Sequence, residues 1–266
     1  MNTLRHGDQS LAVQQLQQAL NARGATLIVD GIYGDETEKA VRAYQLGVGL
    51  VVDGIAAPKT QLALAGGDCT PLLKNADLVS AAKRLGVELA ALYAVNEVES
   101  AGRGFLGNGK PAILFERHVM HRQLGKARAA ALTAQYPNLV NPRPGGYAGG
   151  VAEHQRLANA RRIDDLAALE STSWGAFQIM GHHATALGYA SVHEFVERMH
   201  RNESEHFEAF VRFIAADPQL HKALKARKWQ DFAKRYNGPA YARNLYDVKL
   251  ERAYQRHAAC HCGQPA

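Results

Sequence analysis

Apolar positions recur along this chain at helical spacing far more often than in the alternation of a strand. Leu11, Leu16, Ala19 and Leu20 share one face behind Ser10, a good N-cap, so a first helix is predicted from about residue 11. Ala40, Val41 and Tyr44 repeat the pattern after Asp35, the expected cap of a second helix. Pro58 fits the first turn of a third, where its missing N–H would be unpaired anyway. From Asp77 onward the pattern is mostly helical: Leu78, Ala81, Ala82 and Leu85 form one stripe, and Leu89, Leu92, Tyr93 and Val95 to Val98 extend the core. Ser191-Val-His-Glu194 and Asn202-Glu-Ser-Glu205 have capping-box form, and Asp217-Pro218 ends the run opened by the second. Ala112-Ile-Leu-Phe115 is the best strand candidate, and Pro137 to Gly150 reads as a long exposed loop of the kind that often carries function. The expected fold is mainly α, with at most a minor sheet.

A short repeat organises the first 66 residues. Asp30-Gly-Ile-Tyr-Gly-Asp-Glu-Thr37 returns 23 residues later as Asp53-Gly-Ile-Ala-Ala-Pro-Lys-Thr60. Each Asp-Gly makes a turn, because Gly accepts positive φ and Asp bonds the backbone two residues on. Ala65-Gly-Gly-Asp-Cys-Thr-Pro-Leu72 then breaks every period. The expected division is a small three-helix head at 1–66, a linker at 67–76 and a larger helical body at 77–266.

Composition narrows the class. With 47% hydrophobic and 21% charged residues in 266, the chain is neither disordered nor fibrous. Its longest apolar runs, such as Gly86–Val98, are interrupted well short of the roughly 20 residues a bilayer span needs. The N-terminus lacks the apolar core of a secretory signal, so synthesis in the cytoplasm without an export address is expected. Residues 1–66 hold five Lys/Arg against six Asp/Glu, a net of −1, while 67–266 hold 26 against 19, a net of +7. A basic body suits a polyanionic partner or anionic surface; the stretches Lys222–Lys228 and Lys249–Arg256 suit weak contact with an outer membrane, although a solvated basic face explains them as well. The scattered basic residues give no reason to expect nucleic acid. Cys260-His261-Cys262 lacks a second ligand pair and reads as a frayed tail, so neither a metal nor a cofactor is expected.

The chemistry candidates are carboxylates. Ala94-Val-Asn-Glu-Val-Glu-Ser100 puts Glu97 and Glu99 at the end of an apolar helix, pointing about 200° apart, so they cannot form one dyad. One serves structure or solvent, and the other is free to enter a cleft. A carboxyl desolvated at the edge of an apolar helix has a raised pKa, as a general acid requires. Negative charge at a helix C-terminus also opposes the helix dipole, a local misfit that points to function. Ser171-Thr-Ser-Trp-Gly-Ala-Phe-Gln-Ile-Met180 and Arg235-Tyr-Asn-Gly-Pro239 combine aromatic faces for sugar stacking with amides for hydroxyl and acetamido groups. Twelve histidines keep a zinc amidase or peptidase in view. His118 and His121 share a helix face, yet no His-Glu-x-x-His occurs.

Two family resemblances follow from these motifs. Leu4-Arg-His-Gly-Asp8, Val13-Gln-Gln-Leu-Gln17, Val29-Asp-Gly-Ile-Tyr-Gly34, Thr37, Ala40-Val41, Tyr44-Gln45, Gly49-Leu50 and Val52-Asp-Gly-Ile55 resemble the peptidoglycan-binding domain 1 pattern, with Ala57 departing where Gly is common. That resemblance implies wall binding at a shallow groove involving Asp30, Tyr33 and Thr37. Val95-Asn-Glu-Val-Glu-Ser100, Gly104-Phe-Leu106, Ile113-Leu-Phe-Glu-Arg-His118, Ser173-Trp-Gly-Ala-Phe-Gln-Ile-Met180 and Tyr236-Asn-Gly-Pro-Ala-Tyr241 resemble the N-acetylmuramidase domain of phage endolysins, within the lysozyme-like superfamily. It implies hydrolysis of the β-1,4 bond between N-acetylmuramic acid and N-acetylglucosamine. By position, Glu99 is the catalytic acid, Glu97 its rival, and Glu116 the candidate second carboxylate; Ser100, Gln178, Tyr236 and Asn237 bind substrate. Tyr236-Asn237-Gly238 lacks the Ala that transglycosylases carry before the Gly. The expected partner is peptidoglycan, met by a monomer after a separate agent opens the membrane. A lytic transglycosylase on the same bond and a non-catalytic wall-binding protein are the other readings.

Overall fold

The computed structural model describes residues 2–100 and 104–259; Cys260, His261 and Cys262 lie outside the described residues. In chain order come α1 (Leu11–Asn21), α2 (Asp35–Gly47), α3 (Pro58–Leu64), α4 (Asn75–Leu85) and α5 (Leu89–Glu99). Strand β1 (Ile113–Phe115) leads to α6 (Arg117–Gln123), α7 (Lys126–Gln135), α8 (Ala152–Arg161) and α9 (Asp165–Glu170). The hairpin β2 (Thr172–Trp174) and β3 (Ile179–Met180) precedes α10 (Val192–Met199), α11 (Glu203–Ala216), α12 (Pro218–Lys225), α13 (Trp229–Asn237) and α14 (Tyr246–Ala259). The fold is mainly α with one small sheet. Two compact units divide the chain after Val98 and again after Lys222, the ends forming one and residues 99–222 the other.

In the first unit, α1 to α3 close on Leu4, Val13, Leu16, Leu20, Tyr33, Val41 and Ala56. Ser10 caps α1 as expected, its Oγ accepting the Val13 N–H at 3.3 Å. Gly34, not Asp35, is the cap of α2; Asp35, Glu36 and Glu38 instead place negative charge on its first turn, where the exposed N–H groups favour it.

The repeat builds the same hydrogen-bonded knot twice. Gln17 Nε2 lies 2.8 Å from Asp30 Oδ1, 3.1 Å from the Ile32 carbonyl and 3.1 Å from Thr37 Oγ1, while its Oε1 accepts the Gly31 N–H at 2.9 Å. Gln45 does the same with Asp53 (2.7 Å), Ile55 (3.1 Å), Thr60 (3.0 Å) and the Gly54 N–H (3.0 Å). Both glutamines are buried, so every polar atom they bring inside needs a partner, and each finds one.

The last residues of the expected linker are bonded to the head. Leu50 and Lys74 form a β-bridge, the Asn75 N–H donates to the Gly49 carbonyl at 3.2 Å, and Asn75 Oδ1 accepts the Val52 N–H at 3.3 Å and the Tyr93 hydroxyl. The head is therefore bonded through the start of α4 to α5.

The second unit is built on an antiparallel sheet of order β1-β2-β3. Ile113 stands opposite Trp174, and Trp174 opposite Ile179, so this row faces the core, where all three are buried. Leu114, Ser173 and Met180 form the adjacent row on the other face, of which Leu114 and Met180 are only half-buried. The segment from Ser171 to Met180, read from sequence as a cluster of sugar-binding groups, is thus a hairpin. Gly175 at its turn has φ +73°, and a Cβ there would fall 2.6 Å from the buried His206 ring. That imidazole is a scaffold: Nδ1 accepts the Ala176 N–H (3.2 Å), Nε2 donates to the Met199 carbonyl (2.7 Å) and the ring stacks on Phe105. Asp217-Pro218 ends α11 and Ser191 and Asn202 cap α10 and α11 through the N–H groups of Glu194 and Glu205, all as the sequence implies.

Candidate active site

Glu97 and Glu99 both sit at the end of α5 and fall in different units. Glu97 is held in the first unit by α14: Arg256 Nη2 donates to Oε1 at 2.6 Å, His257 Nε2 to Oε2 at 2.9 Å, and Arg5 stands 4.0 Å away. Burial pushes its carboxyl up, but the His257 hydrogen bond and the charges of Arg256, His257 and Arg5 outweigh that, and the net shift is below the ordinary glutamate value. A carboxylate fixed in this way is a structural anion. Glu99 is half-buried, the last residue of the helix and the first of the second unit, with Ser100 in the bend that follows.

From Glu99 the chain is led to the start of β1. The Gly104 N–H donates to Glu203 Oε1 at 2.8 Å, and its carbonyl accepts the Ala112 N–H at 2.8 Å. Five residues reach at most about 18 Å, so Glu99 lies within that span of Gly104, which is bonded to this strand end. Gln178 reaches the same strand end. Its Nε2 donates to the Gly175 carbonyl (2.8 Å) and toward the Ala112 carbonyl (3.4 Å), and its Oε1 accepts from Ser173 Oγ at 2.8 Å. Gln178 is half-buried and left-handed, φ +51°, a conformation that costs a non-glycine residue free energy and so marks a place the surroundings over-determine.

Glu116 follows β1 directly, its N–H donating to the Ser171 carbonyl at 2.9 Å. Alternation along the strand puts it on the same face as Leu114 and Ser173. It is the N-cap of α6, yet its side chain makes no capping bond. Oε2 instead accepts the Tyr147 hydroxyl at 2.8 Å and lies 3.1 Å from His118 Nδ1. Burial and the neighbouring Glu116 charge raise the Tyr147 phenol above its usual value, so it remains a donor. Four residues of strand, roughly 13 Å, separate the Glu116 end of β1 from the Ala112 end that Gln178 reaches.

The glycine-rich loop that carries Tyr147 is fastened by three side chains, those of Arg117, Glu153 and Arg156. Arg117 donates to the carbonyls of Arg143 (2.9 Å), Pro137 (3.2 Å) and Pro144 (3.0 Å). The fully buried Glu153 accepts the N–H groups of Ala148 (2.5 Å), Gly149 (3.1 Å) and Phe115 (3.2 Å) and pairs with Arg156 at 2.7 Å. Arg156 also donates to the carbonyls of Phe115 and Asn138. Burial pushes the Glu153 carboxyl up; the three amides and Arg156 overcome it, and the net shift is downward. An acid in the first turn of a helix was the sole clue in the sequence, and it is indistinguishable there from a dipole-stabilising surface residue.

Other expected residues belong to the first unit. Tyr236 and Asn237 close α13 in the first unit, half-buried, with the Tyr236 ring stacked on Phe232 at 5.9 Å. In the head, Tyr33 and Thr37 are both buried, the Tyr33 hydroxyl donating to the Gly54 carbonyl at 2.8 Å and Thr37 belonging to the first knot. Asp30 alone of the three is exposed. Among the described residues no three His, Cys, Asp or Glu side chains are grouped as a metal ion would need.

The N-acetylmuramidase family model matches residues 88–258, a stretch that contains Glu97, Glu99, Glu116, Gln178, Tyr236 and Asn237. The chain belongs to the N-acetylmuramidase family. A peptidoglycan binding domain model matches residues 9–64 of this muramidase, which span both copies of the turn. The crystal structure of Burkholderia AP3 phage endolysin is similar over 98% of this chain and 100% of that one, at 55% identity and a TM-score of 0.93. A zinc D-Ala-D-Ala carboxypeptidase of Streptomyces albus G is 41% identical over 76 residues, 26% of this chain; the match spans 30% of that protein's length. The muramidase thus has the two-domain make-up of a phage endolysin, an enzyme of peptidoglycan degradation. No helix among its described residues is long and apolar enough to cross a membrane.

Proposed function

We propose that this muramidase hydrolyses the β-1,4 bond between N-acetylmuramic acid and N-acetylglucosamine, with Glu99 as general acid. The observation that carries the assignment is the state of its neighbour: Glu97 is engaged on both oxygens by Arg256 and His257, with its carboxyl shifted downward, and so is poorly suited to donate a proton. Glu99 is half-buried at the carbonyl end of α5, where the helix dipole disfavours negative charge. It would protonate the leaving oxygen as positive charge develops on the sugar ring.

Glu116 is the proposed second carboxylate. Among the described residues both of its side-chain partners meet Oε2, which leaves Oε1 to activate a water or meet the developing cation. Gln178, Ser100, Tyr236 and Asn237 would bind the sugars of the strand. Residues 1–66 would hold the enzyme on the wall, and residues 77–266 would cut it. The protein would act as a monomer made in the host cytoplasm, reaching the wall once another agent opens the membrane.

Digestion of purified peptidoglycan tests the reaction. Mass spectrometry should show reducing N-acetylmuramic acid ends; 1,6-anhydro ends would convert the assignment to a lytic transglycosylase. Glu99→Gln should lower turnover by about 10²–10⁴-fold while leaving wall binding and thermal unfolding unchanged. Full activity in that variant would remove Glu99 from the mechanism.

A further inference from the structure

We infer that Tyr147, carried on the loop of residues 137–150, is a saccharide-stacking platform beside Glu116, a subsite for one sugar ring of the glycan strand; this rests on the muramidase reading above. Three observations carry it. Tyr147 is 47% exposed, and no aromatic ring among the described residues is paired with its own. Its polar end, by contrast, is fixed, the hydroxyl donating to Glu116 Oε2 at 2.8 Å. A bare aromatic face with an immobilised orientation is of little use to folding, and it is what a sugar's C–H face requires.

The loop itself is held far more firmly than a connection needs to be. Glu153 is a fully buried carboxylate whose four bonds join two loop amides, one amide of β1 and Arg156. Because the β1 amide belongs to Phe115, the residue before Glu116, the clamp sets the height of Tyr147 against Glu116 to within one residue. Gly146, φ +75°, lets the loop fold over Arg117, and a Cβ there would stand 3.2 Å from that guanidinium. The chain thus builds a rigid support for one exposed ring next to a carboxylate on the partly open face of its sheet.

Steady-state kinetics on soluble, peptide-free glycan strands test the platform. Tyr147→Leu keeps bulk without a π-face and should raise KM about tenfold with kcat little changed. Tyr147→Phe keeps the ring but frees it from Glu116, so its KM should fall between those of the parent and the leucine variant. A Tyr147→Leu protein with the parent KM, or one whose kcat falls while KM holds, overturns the inference in favour of a tyrosine that serves Glu116 alone. Should leucine loosen the loop, seen as a lower Tm, Tyr147→Trp decides. Both native tryptophans, Trp174 and Trp229, are buried, so a new exposed indole reports directly. Its emission should shift to the blue and gain intensity on adding a tetrasaccharide of alternating N-acetylmuramic acid and N-acetylglucosamine; an unmoved spectrum overturns the platform. Loss of the general-acid assignment would show instead as undiminished turnover in Glu99→Gln, leaving the fluorescence result to stand by itself.

Discussion

The two Asp-Gly-Ile turns of the head match bond for bond, and yet their aspartates titrate in opposite directions. Asp30, at the surface, is held below the ordinary value by the Gln17 amide and the Ile32 N–H. Asp53 receives the equivalent bonds from Gln45 and Ile55, but burial outweighs them, with Glu97 adding to the upward push and His257 opposing it, so its carboxyl is raised. Repetition in sequence reproduced the local geometry. The electrostatics came from what packs against each copy, and the second copy has α5 and α14 near it. The same rule separates Glu97 from Glu99: their spacing is local, whereas the partners of Glu97 lie about 160 residues further along.

The comparison can be tested hardest at its shared part. Gln17→Ala and Gln45→Ala should each destabilise the protein by about 2–4 kcal/mol, because each leaves a buried N–H and several acceptors unpaired. Equal losses in urea unfolding uphold the equivalence of the knots, and a silent variant breaks it. Glu97→Gln comes next, at about 1–3 kcal/mol near neutral pH, since it leaves Arg256 and the buried His257 without their anion. The folded Glu97 carboxyl lies below its unfolded value, so its contribution is full above the unfolded pKa and is lost as pH falls through the folded one. Urea midpoints from neutral pH down to about pH 3 should therefore converge for parent and Glu97→Gln, while turnover on soluble glycan stays near the parent value. The smallest effect discriminates best between the copies. Asp53→Asn removes a charge that burial disfavours and should hold or raise Tm at neutral pH, whereas Asp30→Asn should lower it slightly. Shifts of the same sign would mean that the bonds, not the burial, dominate.

Much of this was readable from residues alone, where the signal is local. The caps at Ser10, Ser191 and Asn202, the Pro58 start of α3, the stop at Asp217-Pro218 and the strand at Ile113–Phe115 all depend on neighbours within four residues. The burial of Tyr33 and Thr37 was not legible, because a conspicuous turn motif resembles a surface, while the knot draws both inward. The β2–β3 hairpin was hidden by its composition: Gly175 and a left-handed Gln178 hold it in so few residues that no alternation develops. The loop at 137–150 was visible through its glycines and prolines. Its clamp was not, because Glu153 acquires a role only when the fold brings Phe115 and Gly149 to the same carboxylate.

Asn75 has a practical consequence for anyone who would transplant the head onto a different hydrolase. Its backbone and side chain complete the Gly49 and Val52 peptide groups, and its amide oxygen is shared with Tyr93 of α5. A cassette cut at residue 66 would strip those peptides of their mates and leave Leu50 uncovered at the seam. Carrying the excision past the first turn of α4, and supplying a hydroxyl where Tyr93 stood, would deliver a module that keeps its own lower edge.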